Sequence, residues 1–145
     1  MILLAGKRDI PSAASLAAQL FHSPAEELAD EFEELISSKE CAVFLLVLED
    51  RPAGFAQCQL RHDYVEGTVS SPVGYLEGIF VLPEYRSQGY ARTLLVRCEQ
   101  WAREQGCAEF ASDCELDNSG SLAFHLKMGF AEANRIICFH KTLED

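Results

Sequence analysis

The sequence predicts a mixed α/β domain, a central β-sheet flanked by helices with the element order βααβββαβαβ. Segments with apolar residues at helical spacing alternate along the chain with short β-prone runs. In addition, the predicted strands Gly74–Val81 and Ala108–Ser112 are joined by a helix, and strands joined in this way are expected to be parallel neighbours. The chain contains no repeat and no linker, which predicts a single domain over residues 1–145.

Two helices are predicted before the main strands, after a short apolar start. Pro11–Phe21 carries apolar residues at helical spacing, and Pro11 suits a first helical turn. A second helix follows, because Ser23, Pro24 and Glu26 match a helix start with a capping box. Its predicted apolar face consists of Leu28, Phe32, Leu35 and Ile36.

The middle of the chain predicts three strands. Cys41–Leu48 and Ala53–Leu60 are β-prone runs separated by a short polar turn, which predicts a hairpin. A polar loop over residues 63–72 then leads into the strand Gly74–Val81, which Pro83 ends.

The last third of the chain predicts alternating helices and strands. Gly89–Gln105 is predicted to be a helix with one apolar side. It is followed by the strand Ala108–Ser112 and the helix Ser119–Met128, which Gly129 closes. Arg135–Leu143 is predicted to be the last strand.

Charge and composition restrict the function. The net charge of −11 opposes binding to nucleic acid and anionic lipid but favours a cationic ligand. No apolar run approaches the roughly 20 residues that span a bilayer, and the N-terminus lacks the pattern of a signal peptide, so we expect a cytoplasmic protein. The six cysteines form no CxxC pair, which predicts small buried residues and no metal site.

A distinctive segment links the strand Gly74–Val81 to the helix that follows it. Its sequence is Arg86-Ser87-Gln88-Gly89-Tyr90-Ala91-Arg92. Backbone amides at a helix N-terminus can bind a diphosphate, and Gly89 allows the backbone to approach a ligand closely. With Arg97 and Arg103, this region holds four of the twelve basic residues of an acidic chain, which suggests an anionic cofactor. The alternative is an ordinary turn before a solvated helix face.

This segment resembles the coenzyme A pyrophosphate loop of the GNAT acetyltransferases. Asn118 and the run from Phe124 to Phe130 resemble the second motif of that superfamily. The resemblance implies acetyl-CoA as the donor and a bulge near Gly78 that directs an N–H at the thioester carbonyl. The implied cofactor contacts are Ile79, Phe80, Val81, Arg86, Ser87, Gln88, Gly89, Tyr90, Ala91, Arg92 and Asn118.

Residues 61–130 are similar, more narrowly, to bacterial aminoglycoside 6′-N-acetyltransferases. The similarity lies in the runs Arg61–Gly67, Ser70–Val73, Leu76–Pro83 and Ala111–Asp113. Members of that family are homodimers that inactivate aminoglycosides, which implies acetyl transfer to a 6′-amine. Phe21 stands where some relatives have a Trp and Asn134 where they have an acid. The implied substrate-binding residues are Phe21, Tyr64, Glu77, Asp113 and Asn134.

Three side chains are candidates for the chemistry. Glu77 and Asp113 lie on the adjacent central strands and could face one cleft. A charged carboxylate within a strand needs a partner, which for Glu77 could be the substrate ammonium, Arg61 or backbone amides. His125 occupies the position where many GNAT members carry a Tyr that protonates the departing thiolate. It could instead be a surface or packing residue. Tyr64 could contact a sugar ring or plug the space between loop and sheet.

Other functions remain open at this point. A polyamine, protein-lysine or N-terminal acetyltransferase would use the same donor machinery and the same acidic cleft. A regulatory module that binds coenzyme A without turnover is disfavoured by the presence of Glu77 and Asp113. The apolar run from Ile136 to Phe139 would lie near a sheet edge that needs cover, and together with the resemblance it predicts a homodimer.

Overall fold

The computed structural model describes all 145 residues and contains five strands and four α-helices. The chain divides into two compact units, Met1–Asp113 and Cys114–Asp145. The elements are β1 (Ile2–Leu4), α1 (Ile10–Phe21), α2 (Ala25–Ser37), β2 (Cys41–Leu48), β3 (Arg51–Arg61), β4 (Val73–Val81), α3 (Tyr90–Glu104), β5 (Phe110–Ser112) and α4 (Ser119–Lys127).

The five strands of the first unit form one sheet in the order β1-β2-β3-β4-β5. The first four are antiparallel neighbours, whereas β4 and β5 run parallel with α3 between them in the chain. The predicted mixed α/β fold and the predicted parallel pair are therefore confirmed. Parallel neighbours require a long crossover connection, and α3 supplies it.

Two local features shape the hairpin and its neighbour strand. Glu49 and Asp50 both have positive φ, 51° and 60°, which makes a tight two-residue turn and lets β3 begin at Arg51. Further along, the register between β3 and β4 shifts, because Gln57 pairs with Gly78 whereas Cys58 pairs with Leu76. Glu77 is the extra residue of this β-bulge.

The core lies on both faces of the sheet. On one face, α1 and α2 pack against β2 and β3 around Phe32 and Phe55, whose rings meet edge to face at 6.2 Å. On the other face lies α3, where the guanidinium of Arg97 stands 4.6 Å from the ring of Phe44. Successive residues of β2 alternate between the two faces, so that the strand is buried on both sides.

The start of α2 differs from the prediction. Pro24 is the N-cap residue and the helix begins at Ala25. No side chain caps this end, and the hydroxyl of Ser23 donates instead to the carbonyl of Phe21 at 3.4 Å. The predicted capping box of Ser23 and Glu26 is therefore wrong, because Ser23 lies one residue too early to reach the free amides.

The second unit holds α4 and the C-terminal segment. Gly129 has a φ of 97°, and the amide of Phe130 donates to the carbonyl of His125 at 3.0 Å, so the helix ends as predicted. The predicted strand Arg135–Leu143 is wrong in this structure: residues 131–145 form no strand. A strand requires a neighbouring chain segment for its hydrogen bonds, whereas Ile137 and Phe139 are 80% and 90% exposed.

None of the helices is both long enough and apolar enough to cross a membrane.

Candidate functional site

The sheet of the first unit opens between β4 and β5. The two strands pair only from Gly74 with Phe110 to Leu76 with Ser112. Beyond this point β5 ends, whereas β4 continues to Val81. The second edge of β4 over Ile79, Phe80 and Val81 is thus unpaired by β5, and its backbone groups remain for another partner.

A turn and a helix N-terminus follow the end of β4. Ser87 and Gly89 have positive φ, 63° and 87°, and Gly89 is the N-cap of α3. The first intrahelical bond joins the amide of Thr93 to the carbonyl of Gly89 at 3.2 Å, so the amides of residues 90–92 precede it. No atom lies within 4 Å of the place where a Cβ at Gly89 would stand. Ser87, Gln88 and Arg92 are exposed, and Tyr90 and Ala91 are half-buried.

Arg86 is anchored to the strand that precedes the turn. Its Nε donates to the carbonyl of Val81 at 2.7 Å, and its guanidinium carbon lies 5.2 Å from the centre of the Phe80 ring. This side chain therefore fixes the turn to the end of β4 and places a positive charge beside it. The residues suggested for cofactor binding in the first unit lie close together along the chain, from the end of β4 to the first turn of α3.

The C-terminal end of α1 lies against the bulge in β4. A Cβ at Gly78 would lie only 2.8 Å from the ring of Phe21 and 3.3 Å from Leu20, so glycine is what permits this approach. Phe21 is 40% exposed and meets Phe55 edge to face at 6.4 Å. Phe21 thus packs against β4 at Gly78, the residue after Glu77 in the chain.

The loop between β3 and β4 packs onto β4 through one buried residue. Val65 is buried against Val73 and Tyr75, whereas Tyr64 is 75% exposed. Of the two roles considered for Tyr64, the hydrophobic plug is therefore wrong, because Val65 fills that place.

Glu109, a residue that the sequence analysis did not single out, anchors this loop. Its carboxylate accepts the amides of Val69 and Ser70, each at 2.9 Å, and the hydroxyl of Ser70. These bonds hold the pKa of Glu109 below its usual range, the Ser70 hydroxyl contributing most.

Glu77 and Asp113 are joined by a chain of contacts through two intermediate residues. Arg61 Nη2 donates to Glu77 Oε1 at 2.8 Å, and the guanidinium lies 3.4 Å above the Tyr75 ring. The hydroxyl of Tyr75 donates to Asp113 Oδ2. Burial, followed by this hydrogen bond, raises the pKa of Tyr75, so the hydroxyl keeps its proton at neutral pH.

The sequence pointed to three of these four residues and missed the fourth. The sequence left the partner of Glu77 open between Arg61 and a substrate ammonium, and the structure contains the pair with Arg61. Tyr75 was missed, although its position two residues before Glu77 in a strand was an available signal, because alternate residues share a face.

Three suggested site residues belong to the second unit. Asn118 accepts the amide of Ser121 at 3.1 Å through its side chain and so caps α4. His125 donates from Nδ1 to the carbonyl of Ser121 at 2.7 Å, and its ring lies 5.1 Å from that of Phe130. Asn134 lies in the segment without helix or strand. The structure contains no group of three or more His, Cys, Asp or Glu residues that could hold a metal ion.

Comparison with known sequences identifies the type of domain. The model of the acetyltransferase (GNAT) family matches residues 12–130. An aminoglycoside N(6′)-acetyltransferase type 1 from Stenotrophomonas maltophilia is 40% identical over 138 residues, which cover 92% of this chain and 90% of the relative. The enzyme of the same name from Acinetobacter genomosp. 13 is 46% identical over 101 residues, 68% of this chain and 69% of the relative.

Solved structures that resemble this chain are enzymes of the same kind as the relatives found by sequence. AAC(6′)-Iy in complex with the bisubstrate analogue CoA-S-monomethyl-acetylneamine superposes with a TM-score of 0.94 at 35% identity, covering 99% of this chain and 98% of that one. The aminoglycoside 6′-N-acetyltransferase AAC(6′)-Ih from Acinetobacter baumannii gives a TM-score of 0.95 at 34% identity, with 99% of both chains covered. From the split between β4 and β5, the turn into α3 and these similarities, it follows that the chain belongs to the acetyltransferase (GNAT) family.

Proposed function

We propose that this acetyl-CoA-dependent N-acetyltransferase acetylates the 6′-amine of aminoglycoside antibiotics and so confers resistance to them. The observation that carries the proposal is the opening between β4 and β5, which has a helix N-terminus at one end and two carboxylates near the other. Relatives at 40% identity, whose matches cover 92% and 83% of this chain, support the choice of acceptor.

The donor half of the site fits acetyl-CoA. The amides of the first turn of α3 and the charge of Arg86 suit the diphosphate. The unpaired edge of β4 over Ile79, Phe80 and Val81 suits the amide groups of pantetheine. Ser87, Gln88, Gly89, Tyr90, Ala91, Arg92 and Asn118 complete the proposed set. When bound, acetyl-CoA supplies the activated acetyl group as a thioester.

The acceptor half is proposed to consist of Phe21, Tyr64, Glu77, Asp113 and Asn134. An amine attacks only after losing its proton, so an enzyme of this kind must attract an ammonium and then deprotonate it, here through water to a carboxylate. Asp113 is exposed and held by Tyr75, which suits it to receive the ammonium. The Nδ1 proton of His125 is donated to the carbonyl of Ser121, so only the imidazolium form, which carries a second proton on Nε2, could protonate a departing thiolate.

The acceptor is tested with a panel of amines. Neamine and other sugars with a 6′-amine should become acetylated, whereas their 6′-hydroxyl analogues, polyamines and basic peptides should not, as read by the mass of the product. Asp113→Asn should lower kcat/KM for neamine at least about tenfold while acetyl-CoA affinity stays unchanged, because only the acceptor loses a charge contact. Activity confined to polyamines or peptides would assign the protein to another acceptor class.

We also infer a homodimer in the cytoplasm. The exposed apolar segment of Ile136, Ile137 and Phe139 supports a second copy as its partner, because an apolar run of this kind is unusual on a monomer surface. All six cysteines are free thiols, which suits a reducing compartment.

A further inference from the structure

The two carboxylates of the cleft have different partners. Glu77 is bonded to a cation, since Arg61 Nη2 lies 2.8 Å from its Oε1. Asp113 is bonded to a neutral group, the hydroxyl of Tyr75. Arg61 is 37% and Glu77 23% exposed in their side chains, so the pair is partly shielded from water and salt.

The position of Arg61 is fixed from two sides. It is the last residue of β3 and pairs with Val73, which places its side chain beside that of Tyr75 on the neighbouring strand. Its guanidinium carbon lies 3.4 Å from the centre of the Tyr75 ring, while its Nη2 reaches Glu77. A planar guanidinium can make both contacts at once, which an ammonium group cannot do as well.

This arrangement has a consequence for a cationic substrate. A second cation that approached Glu77 would meet the positive charge of Arg61, and the aromatic face of Tyr75 is already covered. Asp113 has no positive side chain bonded to it, so its negative charge remains for an incoming ammonium.

We propose that Arg61 is a positioning residue that neutralises Glu77 and thereby directs the acceptor amine to Asp113. Tyr75 links Arg61 to Asp113, because its ring supports the guanidinium and its hydroxyl orients the carboxylate. The inference rests on the proposed function and adds a division of labour between two carboxylates of the acceptor cleft.

The test is a double-mutant cycle on Arg61 and Glu77 with neamine as the probe. Glu77→Gln alone leaves the charge of Arg61 without a partner, so KM and the dissociation constant for neamine should rise about tenfold or more. The double variant Arg61→Gln, Glu77→Gln removes both charges together and should recover most of that loss. Arg61→Gln alone frees Glu77 to draw the amine away from Asp113, so KM should fall and kcat should fall with it.

Two further variants separate the role of the Arg61 guanidinium from the effect of removing any positive charge. Arg61→Lys keeps the positive charge but not the planar guanidinium. Its KM and kcat for neamine should lie closer to the wild-type values than those of Arg61→Gln. Arg8→Gln removes an equal charge from an exposed position before α1 and should leave both constants unchanged. Acetyl-CoA affinity and the melting temperature check that each variant is folded.

The outcomes distinguish this inference from the proposed function. Recovery in the double variant supports the role of Arg61. If wild type acetylates neamine and the double variant is as weak as Glu77→Gln, Glu77 contacts the amine itself and the inference is wrong, while the proposed function stands. If wild type neither binds nor acetylates neamine, the proposed function fails and this inference fails with it.

Discussion

At the scale of single residues, a few glycines decide which surfaces can meet. Gly78 admits the ring of Phe21 to the bulge of β4, and Gly89 adopts a φ of 87° at the start of α3. The structural role of such a glycine can be predicted from sequence only when the glycine belongs to a motif. Gly89 was found because the RxxGxA pattern of residues 86–91 surrounds it, whereas the contact at Gly78 depends on where α1 ends.

The first prediction concerns Gly89. Gly89→Val should weaken acetyl-CoA binding at least about tenfold, because the side chain would stand where the backbone must meet the diphosphate, and valine also strains a positive φ. Isothermal calorimetry with acetyl-CoA measures the effect.

Gly106→Val is the matched control for this prediction. Gly106 has a φ of 90° and equally open space around a Cβ, but it lies beyond the opposite end of α3. Gly106→Val should destabilise the protein about as much as Gly89→Val does, but its affinity for acetyl-CoA should equal that of wild type. Equal affinity in both variants would show that the turn at Gly89 does not contact the cofactor.

At the scale of elements, the close packing of α3 and β5 against β4 explains why residue 74, which lies in a strand and not in a turn, is a glycine. A Cβ at Gly74 would lie 2.7 Å from the Cβ of Ala102 and 2.7 Å from the ring of Phe110. The helix and the parallel strand both depend on this close approach. The sequence predicted that β4 and β5 are neighbours, but not that Gly74 is the point of contact, because this depends on the depth at which α3 packs.

The second prediction tests this packing. Gly74→Ala should lower the free energy of unfolding by about 1–3 kcal/mol, because the added methyl group must displace Ala102 or Phe110. Urea denaturation measures it. Gly120→Ala, in the first turn of α4 with its nearest atom at 3.9 Å, should be neutral or stabilising by up to about 1 kcal/mol. Similar losses in both variants would contradict the argument.

The third prediction concerns the loop of residues 62–72, which Glu109 anchors. Glu109→Gln should speed amide hydrogen exchange at Val69 and Ser70, because their acceptor loses its charge. Glu104→Gln, an exposed position at the end of α3, should leave exchange unchanged.

The same carboxylate gives this loop a pH dependence with a definite sign. The folded protein lowers the pKa of Glu109, so its contribution is complete above the ordinary value of 4.5 and is lost as the pH falls through the lower, folded pKa. Protection at Val69 and Ser70 should therefore decrease below about pH 4.5 in wild type. In Glu109→Gln it should change little over that range.

At the scale of the whole molecule, the local pattern predicted nearly every element, and the exceptions have a common cause. The five-stranded sheet and the helices followed from the periodicity of apolar residues. The strand predicted at Arg135–Leu143 failed because pairing depends on a partner that a sequence pattern does not supply. The contact between Arg61 and Tyr75 likewise depends on the register of β3 against β4, which the bulge at Glu77 sets.

The fourth prediction is that the C-terminal segment mediates dimer formation. Phe139→Ser should shift the proposed dimer toward monomer, because it removes a large apolar side chain that is 90% exposed. Light scattering at micromolar concentration measures the mass. Leu116→Ser changes another large, exposed apolar residue outside the segment, and this variant should remain dimeric. A wild-type monomer would refute the homodimer.

The cysteines differ in exposure, so their rates of chemical labelling can report on dimer formation. Cys58, Cys98 and Cys107 are buried, whereas Cys114 and Cys138 are exposed. Burial raises the pKa of Cys41 and Cys107, and a hydrogen bond to Cys98 together with burial raises that of Cys58, so maleimides at neutral pH should modify Cys114 and Cys138 first. Cys138 lies within the proposed interface segment and Cys114 outside it. Labelling of Cys138 should therefore slow as protein concentration rises, with Cys114 in the same molecule as the internal standard.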